Sequence, residues 1–258
     1  MILAIDVGNT HITMGILDNS RIVGNFRLTT KTTRTSDEYG ICISVLLNNN
    51  NLSVEDIDDV IISSVVPKLM YSLTNCIRKY IKKEPIVIGP GIKTGIKIGH
   101  DNAREVGADR IVNVAYAYHK LKRACIIIDF GTATTFDFVN KNGEFQYTVI
   151  SPGLEISAQA LYGQTAKLPE IEIKKPASIL ATNTIDGMQA GVVFGYVGQV
   201  EYIIKKLKEE LQDDDVYVIA TGGLGRVIYG ATDMIDEFDA DIAFKGMDII
   251  YQKNISKK

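Results

Sequence analysis

Four short segments of this 258-residue chain carry residue types that could do chemistry together. In Asp6-Val7-Gly8-Asn9-Thr10 an acidic residue closes an apolar run that begins at Ile2. A charge at the end of a buried strand is costly unless it meets a cation or hydrogen bonds. Gly8 would let the backbone approach a ligand. The amides of Gly8, Asn9 and Thr10, with the hydroxyls of Thr10 and Thr13, could cradle phosphate oxygens. Asp6 could then hold Mg²⁺ or water against those phosphates. Asp129-Phe130-Gly131-Thr132-Ala133-Thr134-Thr135 repeats the logic, with Thr132 placed to touch phosphate. Two carboxylates around one polyphosphate call for a cation at one of them at least. A tight hairpin with a structural Asp would use the same residue types; the recurrence favours phosphate. No GxxxxGK[ST] run occurs, so the turns are not of the Walker type.

The other two segments are weaker on their own. Thr221-Gly222-Gly223-Leu224-Gly225 follows an apolar run and would let a flat ring or ribose lie on the backbone. Such a loop is more often a turn, but beside two phosphate turns it becomes a candidate nucleotide contact. In Glu105-Val106-Gly107-Ala108-Asp109-Arg110, Gly107 and Ala108 open space around an Asp-Arg pair. Asp109 could accept a proton from an alcohol while Arg110 holds an anion in its planar fork. That division suits phosphoryl transfer, where catalysis is positioning plus charge stabilisation. A helix N-terminus with a dipole-favoured Asp and a surface Arg would read the same; spacing does not choose. His11 and His100 fall in loops and His119 in a helix, none with metal-ligand spacing.

The elements that must position these residues come in two sets. Leu3–Leu17 (LAIDVGNTHITMGIL) and Ile127–Val139 (IIDFGTATTFDFV) share one pattern: apolar strand, Asp, Gly, hydroxyl residue, alternating strand. About 120 residues separate the copies, which points to a duplicated fold. In the first half the pattern predicts a strand over 22–28 and a helix opened by a Thr35–Glu38 capping box and ending near Leu47. It continues with a strand over 60–66 stopped by Pro67, a helix over 69–81, a short strand over 86–88 and an irregular stretch over 92–104. A helix over 109–122 closes this half. The second half predicts strands over 126–129, 135–139 and 145–150, then a helix after Ser151-Pro152-Gly153. A long helix over 184–211, capped by Thr184, carries apolar residues at steps of three and four. A strand over 216–220 and a last helix capped by Asp239 complete it. The expected fold class is α/β with two similar halves, 1–118 and 119–258, of mixed sheets with a cleft between them.

Composition bounds the rest. Hydrophobic residues are 46% and charged residues 23%, as in an ordinary globular protein. A formal net charge of −3 gives no electrostatic reason to expect nucleic acid. Cys42, Cys76 and Cys125 are too scattered for a disulfide framework or zinc site. No signal peptide or apolar run of membrane length is seen, so a cytoplasmic protein without membrane attachment is expected.

Taken together, these motifs resemble those of type III pantothenate kinases. The match runs through Ala4–Thr10, Glu105–Asn113, Asp129–Thr135 and Thr221–Gly223, in the family's order. Thr35–Gly40, Ser151–Leu154 and Asn183-Thr184 match as well, so the resemblance spans nearly the whole chain. It implies a duplicated ribonuclease-H-like fold of the actin-like class and ATP-dependent phosphorylation of pantothenate, the first step towards coenzyme A. It also implies that Asp6, Val7, Gly8, Asn9, Thr10, His11, Ile12 and Thr13 bind ATP together with Thr132, Gly222 and Gly223. Asp129 would hold a monovalent cation, K⁺ or NH₄⁺, and Mg²⁺ would accompany the nucleotide near Asp6. Pantothenate would meet His100, Gly107, Ala108, Asp109, Arg110 and Thr184, with Asp109 as proton acceptor, at a homodimer interface. Two departures stand out. His100-Asp101-Asn102-Ala103 replaces a run that commonly opens with tyrosine and carries Asp-Asn-Pro, and Gln146-Tyr147-Thr148 occupies a region where Gly-Gly is usual. The rival readings are another actin-like small-molecule kinase, or an ATP-binding regulatory protein without transferase activity.

Overall fold

The computed structural model describes residues 1–255; the terminal Lys257 and Lys258, read as a solvated end, lie outside them. The chain divides into two compact units, one of Met1–His119 with the segment from Asp241 onward, the other of Lys120–Ala240. The last helix packs with the first unit although it follows the second in the chain.

In the first unit, β1 (Ile2–Val7) pairs antiparallel with β2 (His11–Asp18), which pairs antiparallel with β3 (Arg21–Thr29). On its other side β1 runs parallel to β4 (Asp59–Ser64), and β4 to β5 (Ile86–Val87). Helix α1 (Ser36–Asn48) starts at the expected capping box: the Glu38 amide donates to the Thr35 hydroxyl, and the Thr35 amide to the Glu38 carboxylate. Its Tyr39, Ile43 and Leu47 are buried with Leu69 and Leu73 of α2 (Pro67–Cys76), which continues as a π turn over Ile77–Ile81. Pro67 opens that helix, so β4 ends at Ser64 and Val65-Val66 is not strand. The stretch expected to be irregular contains one short strand, β6 (Lys97–Ile98). Helix α3 (Ala108–Leu121) then packs Val112 and Ala115 against Phe244 and Met247 of the last helix, residues Ile242–Ile255.

The second unit repeats the plan strand for strand. β7 (Cys125–Phe130) pairs antiparallel with β8 (Ala133–Val139), and β8 with β9 (Glu144–Pro152). β7 runs parallel to β10 (Tyr217–Thr221), and β10 to β11 (Glu237–Phe238). The order β9-β8-β7-β10-β11 is the counterpart of β3-β2-β1-β4-β5, with the same sense at every pairing. The inferred duplication is therefore present in the topology. Helix α4 (Leu154–Gly163) follows β9, and the long α5 (Thr184–Leu211) lays Val193, Val197, Val200 and Ile204 on the sheet face formed by Ile126, Ile128, Phe136 and Phe138. Asn183, not Thr184, caps α5: its side-chain oxygen accepts the Asp186 amide. A short α6 (Gly225–Tyr229) follows β10, and the last helix, α7, starts at Ile242 rather than directly after Asp239. Among the described residues no helix is long and apolar enough to cross a membrane. Cys76 and Cys125 are buried free thiols, pushed up to about 12 by burial.

Candidate active site

Each hairpin places its acidic residue at the mouth of a tight turn. In the first unit Asp6 stands opposite Thr13 on β2 and opposite Ser63 on β4. The turn is closed by the Gly8 amide donating to the His11 carbonyl at 2.9 Å. The segment after β3 braces it from outside: the Thr30 hydroxyl donates to the Gly8 carbonyl at 2.7 Å, and the Thr30 amide to the Thr10 carbonyl at 3.0 Å. Asn9, Thr10 and His11 are left exposed at the tip. Val7 and Ile12 are core residues, so only their backbone is offered to a ligand.

Asp6 is electrostatically unusual. Burial, then the charge of Asp109, push its carboxyl up to about 7, and the neighbouring Ser63 hydroxyl opposes them. A carboxyl held there is poised to lose its proton when a cation or a hydrogen-bond donor approaches. Asp109 lies in the first turn of α3, and one of its carboxylate oxygens accepts the Arg110 amide at 2.8 Å. The carboxylate folds back over Gly107 so closely that a side chain there would collide with it and press on Val65. Gly107 thus keeps the Asp109 carboxylate in its place. Ala108 is buried behind it, and His100 is half-buried upstream. Between them the Asn102 side chain donates to Glu105 and accepts the Arg104 amide, which orders the turn before α3.

In the second unit Asp129 is opposite Thr135 on β8 and Thr221 on β10. The Gly131 amide donates to the Ala133 carbonyl at 3.2 Å, and Gly131 and Thr132 are exposed. Gly222 has φ +100°, and a side chain there would sit 2.5 Å from the Phe130 carbonyl oxygen, so the position requires glycine. Gly223 faces open space. Thr184, the first residue of α5, is exposed.

Several residues beyond the expected ligands build the site. Ser63 and Thr221 occupy the same place in the two units, each beside the acidic residue across a parallel strand pair. Gly153 donates its amide to the Thr132 carbonyl at 3.1 Å, and any side chain on it would strike the carbonyls of Gly131 and Thr132. The buried Tyr196 phenol, on α5, donates to the Pro152 carbonyl at 2.8 Å and meets the Thr134 hydroxyl at 2.5 Å. Alternation along β4 could have found Ser63, and Thr221 and Gly153 fall in segments the sequence already singles out; nothing short of the packed structure points to Tyr196.

The donor sets fit the groups that phosphoryl transfer needs. The first turn offers the exposed Asn9, Thr10 and His11 beside a carboxyl ready to ionise, the second the exposed Gly131 and Thr132 with a hard-oxygen pair at Asp129 and Thr135. Among the described residues no cluster of three or more His, Cys, Asp or Glu is arranged to hold a metal.

The family model described as type III pantothenate kinase matches residues 2–206. A type III pantothenate kinase of Agathobacter rectalis is 52% identical over 257 residues, covering 100% of this chain and 99% of its own. Among solved structures, a candidate 2-dehydro-3-deoxygalactonokinase of Sinorhizobium meliloti superposes with a TM-score of 0.64 at 10% identity, covering 100% of this chain and 98% of its own. The ethanolamine utilization protein EutJ of Carboxydothermus hydrogenoformans does so with a TM-score of 0.58 at 13% identity, covering 96% and 89%. These distant likenesses bear on fold alone, the actin-like fold that the family resemblance implies. The 52% relative and the family model carry function: the enzyme phosphorylates pantothenate on the route to coenzyme A, and the chain belongs to the type III pantothenate kinase family.

Proposed function

We propose that the residues assembled above divide the work of that reaction as follows. In the first unit the exposed amides of the Asp6–Thr13 turn and the Thr10 and Thr13 hydroxyls bind phosphates of ATP. In the second unit Thr132 adds a phosphate contact, while Gly222 and Gly223 give a bare backbone surface for the nucleoside. Asp109 accepts the proton of the pantothenate hydroxyl, and Arg110 holds the pantothenate carboxylate in its fork. His100, Gly107, Ala108 and Thr184 shape the rest of the acceptor site.

The observation that carries this division is the pairing of Asp109 with Asp6. Asp109 is clamped over Gly107 at a helix start, and its charge acts on the carboxyl of the first phosphate turn. A base is thereby placed beside the turn that binds the donor, where transfer needs it. Asp6 would hold Mg²⁺ on the nucleotide and Asp129 K⁺ or NH₄⁺, and these cations would supply positive charge against the phosphates. Ionised Asp6 holds water or metal on the donor side; ionised Asp109 receives one proton from the alcohol.

The same reading places the enzyme in the cytoplasm as a homodimer. Exposed apolar side chains support the dimer: Ile150 on β9, Ile156 and Leu161 on α4, Ile179 and Leu180 ahead of α5, and Ile185 within it. Ile179, Leu180 and Ile185 flank Thr184, the first residue of α5. The test of the division is ADP release from ATP and Mg²⁺, with and without pantothenate, in potassium or sodium buffer, for wild type and Asp109→Asn. Pantothenate-dependent turnover that requires potassium and collapses in the variant is expected. Turnover that survives in Asp109→Asn would remove Asp109 from the base role.

A further inference from the structure

The two hairpins share the pairing of an acidic residue with a threonine, and two residues further on they differ in a way that chemistry makes conspicuous. Two residues beyond Thr13, β2 carries Gly15, where a side chain would lie 2.7 Å from the Phe244 ring. Two residues beyond Thr135, β8 carries Asp137, 1% exposed. The hairpin therefore folds with no side chain at this place in one unit, yet the other buries a carboxylate there. Burying an ionisable group without a function for it is unfavourable.

The partners of Asp137 indicate that function. On β9, opposite Asp137, the Thr148 hydroxyl donates to one carboxylate oxygen at 2.8 Å. The Thr135 hydroxyl, on the same face of β8, donates to the other at 3.3 Å. Thr135 in turn stands directly opposite Asp129, at a separation where side chains on one face interact. A hydroxyl has one proton and two lone pairs. With its proton committed to Asp137, Thr135 has only lone pairs to offer on the side of Asp129.

We infer that Asp137 is a positioning residue which fixes the Thr135 hydroxyl as an acceptor, so that Thr135 and Asp129 together form an oxygen site for the monovalent cation. The inference rests on the assignment of that cation to Asp129 and extends it to a second ligand and the group that orients it. Without Asp137, the Thr135 proton would turn towards Asp129 and close the site with a hydrogen bond in place of a cation.

The test reads cation binding without turnover. The thermal unfolding midpoint is followed while K⁺ replaces Na⁺ at constant ionic strength, with ADP and Mg²⁺ present. Wild type should gain stability with K⁺, and Asp129→Asn should lose that response. Asp137→Asn and Thr135→Val should raise the K⁺ concentration for half the effect about tenfold or more, as for other residues that orient a metal ligand. Thr135→Ser, which keeps the hydroxyl, should restore the wild-type titration. If wild type and Asp129→Asn behave as stated but Asp137→Asn or Thr135→Val titrates like wild type, the role given to Asp137 is overturned while the Asp129 assignment stands. No K⁺ response in wild type, or one that survives in Asp129→Asn, would overturn that assignment and this inference with it. Should Asp137→Asn fail to fold, the near-isosteric Thr135→Val with its serine rescue decides the matter.

Discussion

At the scale of single residues, Asp6 is held far above the usual carboxylate range. In the unfolded chain its carboxyl ionises near 3.8; in the folded protein burial and Asp109 push it up to about 7. The native state therefore holds this proton more tightly than the unfolded state. Below the unfolded value the group costs nothing, and between about pH 4 and pH 7 it withdraws stability as pH rises, by at most about 4 kcal/mol. Asp6→Asn removes that penalty. The variant should unfold several degrees above wild type at pH 8 and at nearly the same temperature at pH 4, while losing kinase activity. Equal midpoints at pH 8 would mean that Asp6 is not held near neutrality. Asp109 differs in that its effect belongs to the reaction. Asp109→Asn should lower kcat by about 10²–10⁴, the usual worth of a positioned base, with a smaller change in the KM for pantothenate. A loss confined to KM would make Asp109 a binding group.

At the scale of elements, the site depends on loops being held against one another. Gly153 lies between β9 and α4, its amide on the Thr132 carbonyl and its α-carbon against the Gly131–Thr132 backbone. Gly153→Ala has only backbone to displace, so the second phosphate turn must move. The KM for ATP should rise about tenfold or more while far-ultraviolet circular dichroism is unchanged; an unaltered KM would show that the turn does not touch the nucleotide. Tyr196→Phe keeps the ring against Phe130 but leaves the Pro152 carbonyl and Thr134 hydroxyl without the phenol. It should cost about 1–3 kcal/mol in denaturant unfolding, and a neutral result would mean that the loop holds itself. These elements also mark what sequence can disclose. The Thr35–Glu38 box, the apolar steps of α5 and the two Asp-Gly turns are local patterns, and each formed where its spacing placed it. The contacts that Ser63, Thr221, Gly153 and Tyr196 make run across strands or through close approach, and no local pattern encodes those contacts. The last helix shows the same limit: the sequence predicts a helix after Asp239, but not that it packs against Ala4, Leu17 and Ile61 of the first sheet.

At the scale of the whole molecule, the remaining question is how many copies act together. Leu180 is 85% exposed and Ile179 65%, with Ile150, Ile156, Leu161 and Ile185 exposed on neighbouring elements of the same unit. Single exposed apolar residues are ordinary, but a group drawn from one strand end, one helix and the lead into another is what an interface leaves uncovered in an isolated chain. A second copy of this chain would bury them, since such a pairing is self-complementary and closes at two. Thr184 follows Leu180 by four residues, so the same contact would fix the start of α5 where pantothenate is proposed to bind. The wild-type enzyme should sediment at about twice the 28.4 kDa of one chain. Ile179→Glu with Leu180→Glu places two charges in that contact and should yield a folded monomer. Its pantothenate turnover should fall by tenfold or more, whereas ADP binding measured by calorimetry should change little, because no residue assigned to the nucleotide lies in the contact. A monomer with full turnover would separate the acceptor site from the interface, and a double variant that stays dimeric would place the interface elsewhere on the chain.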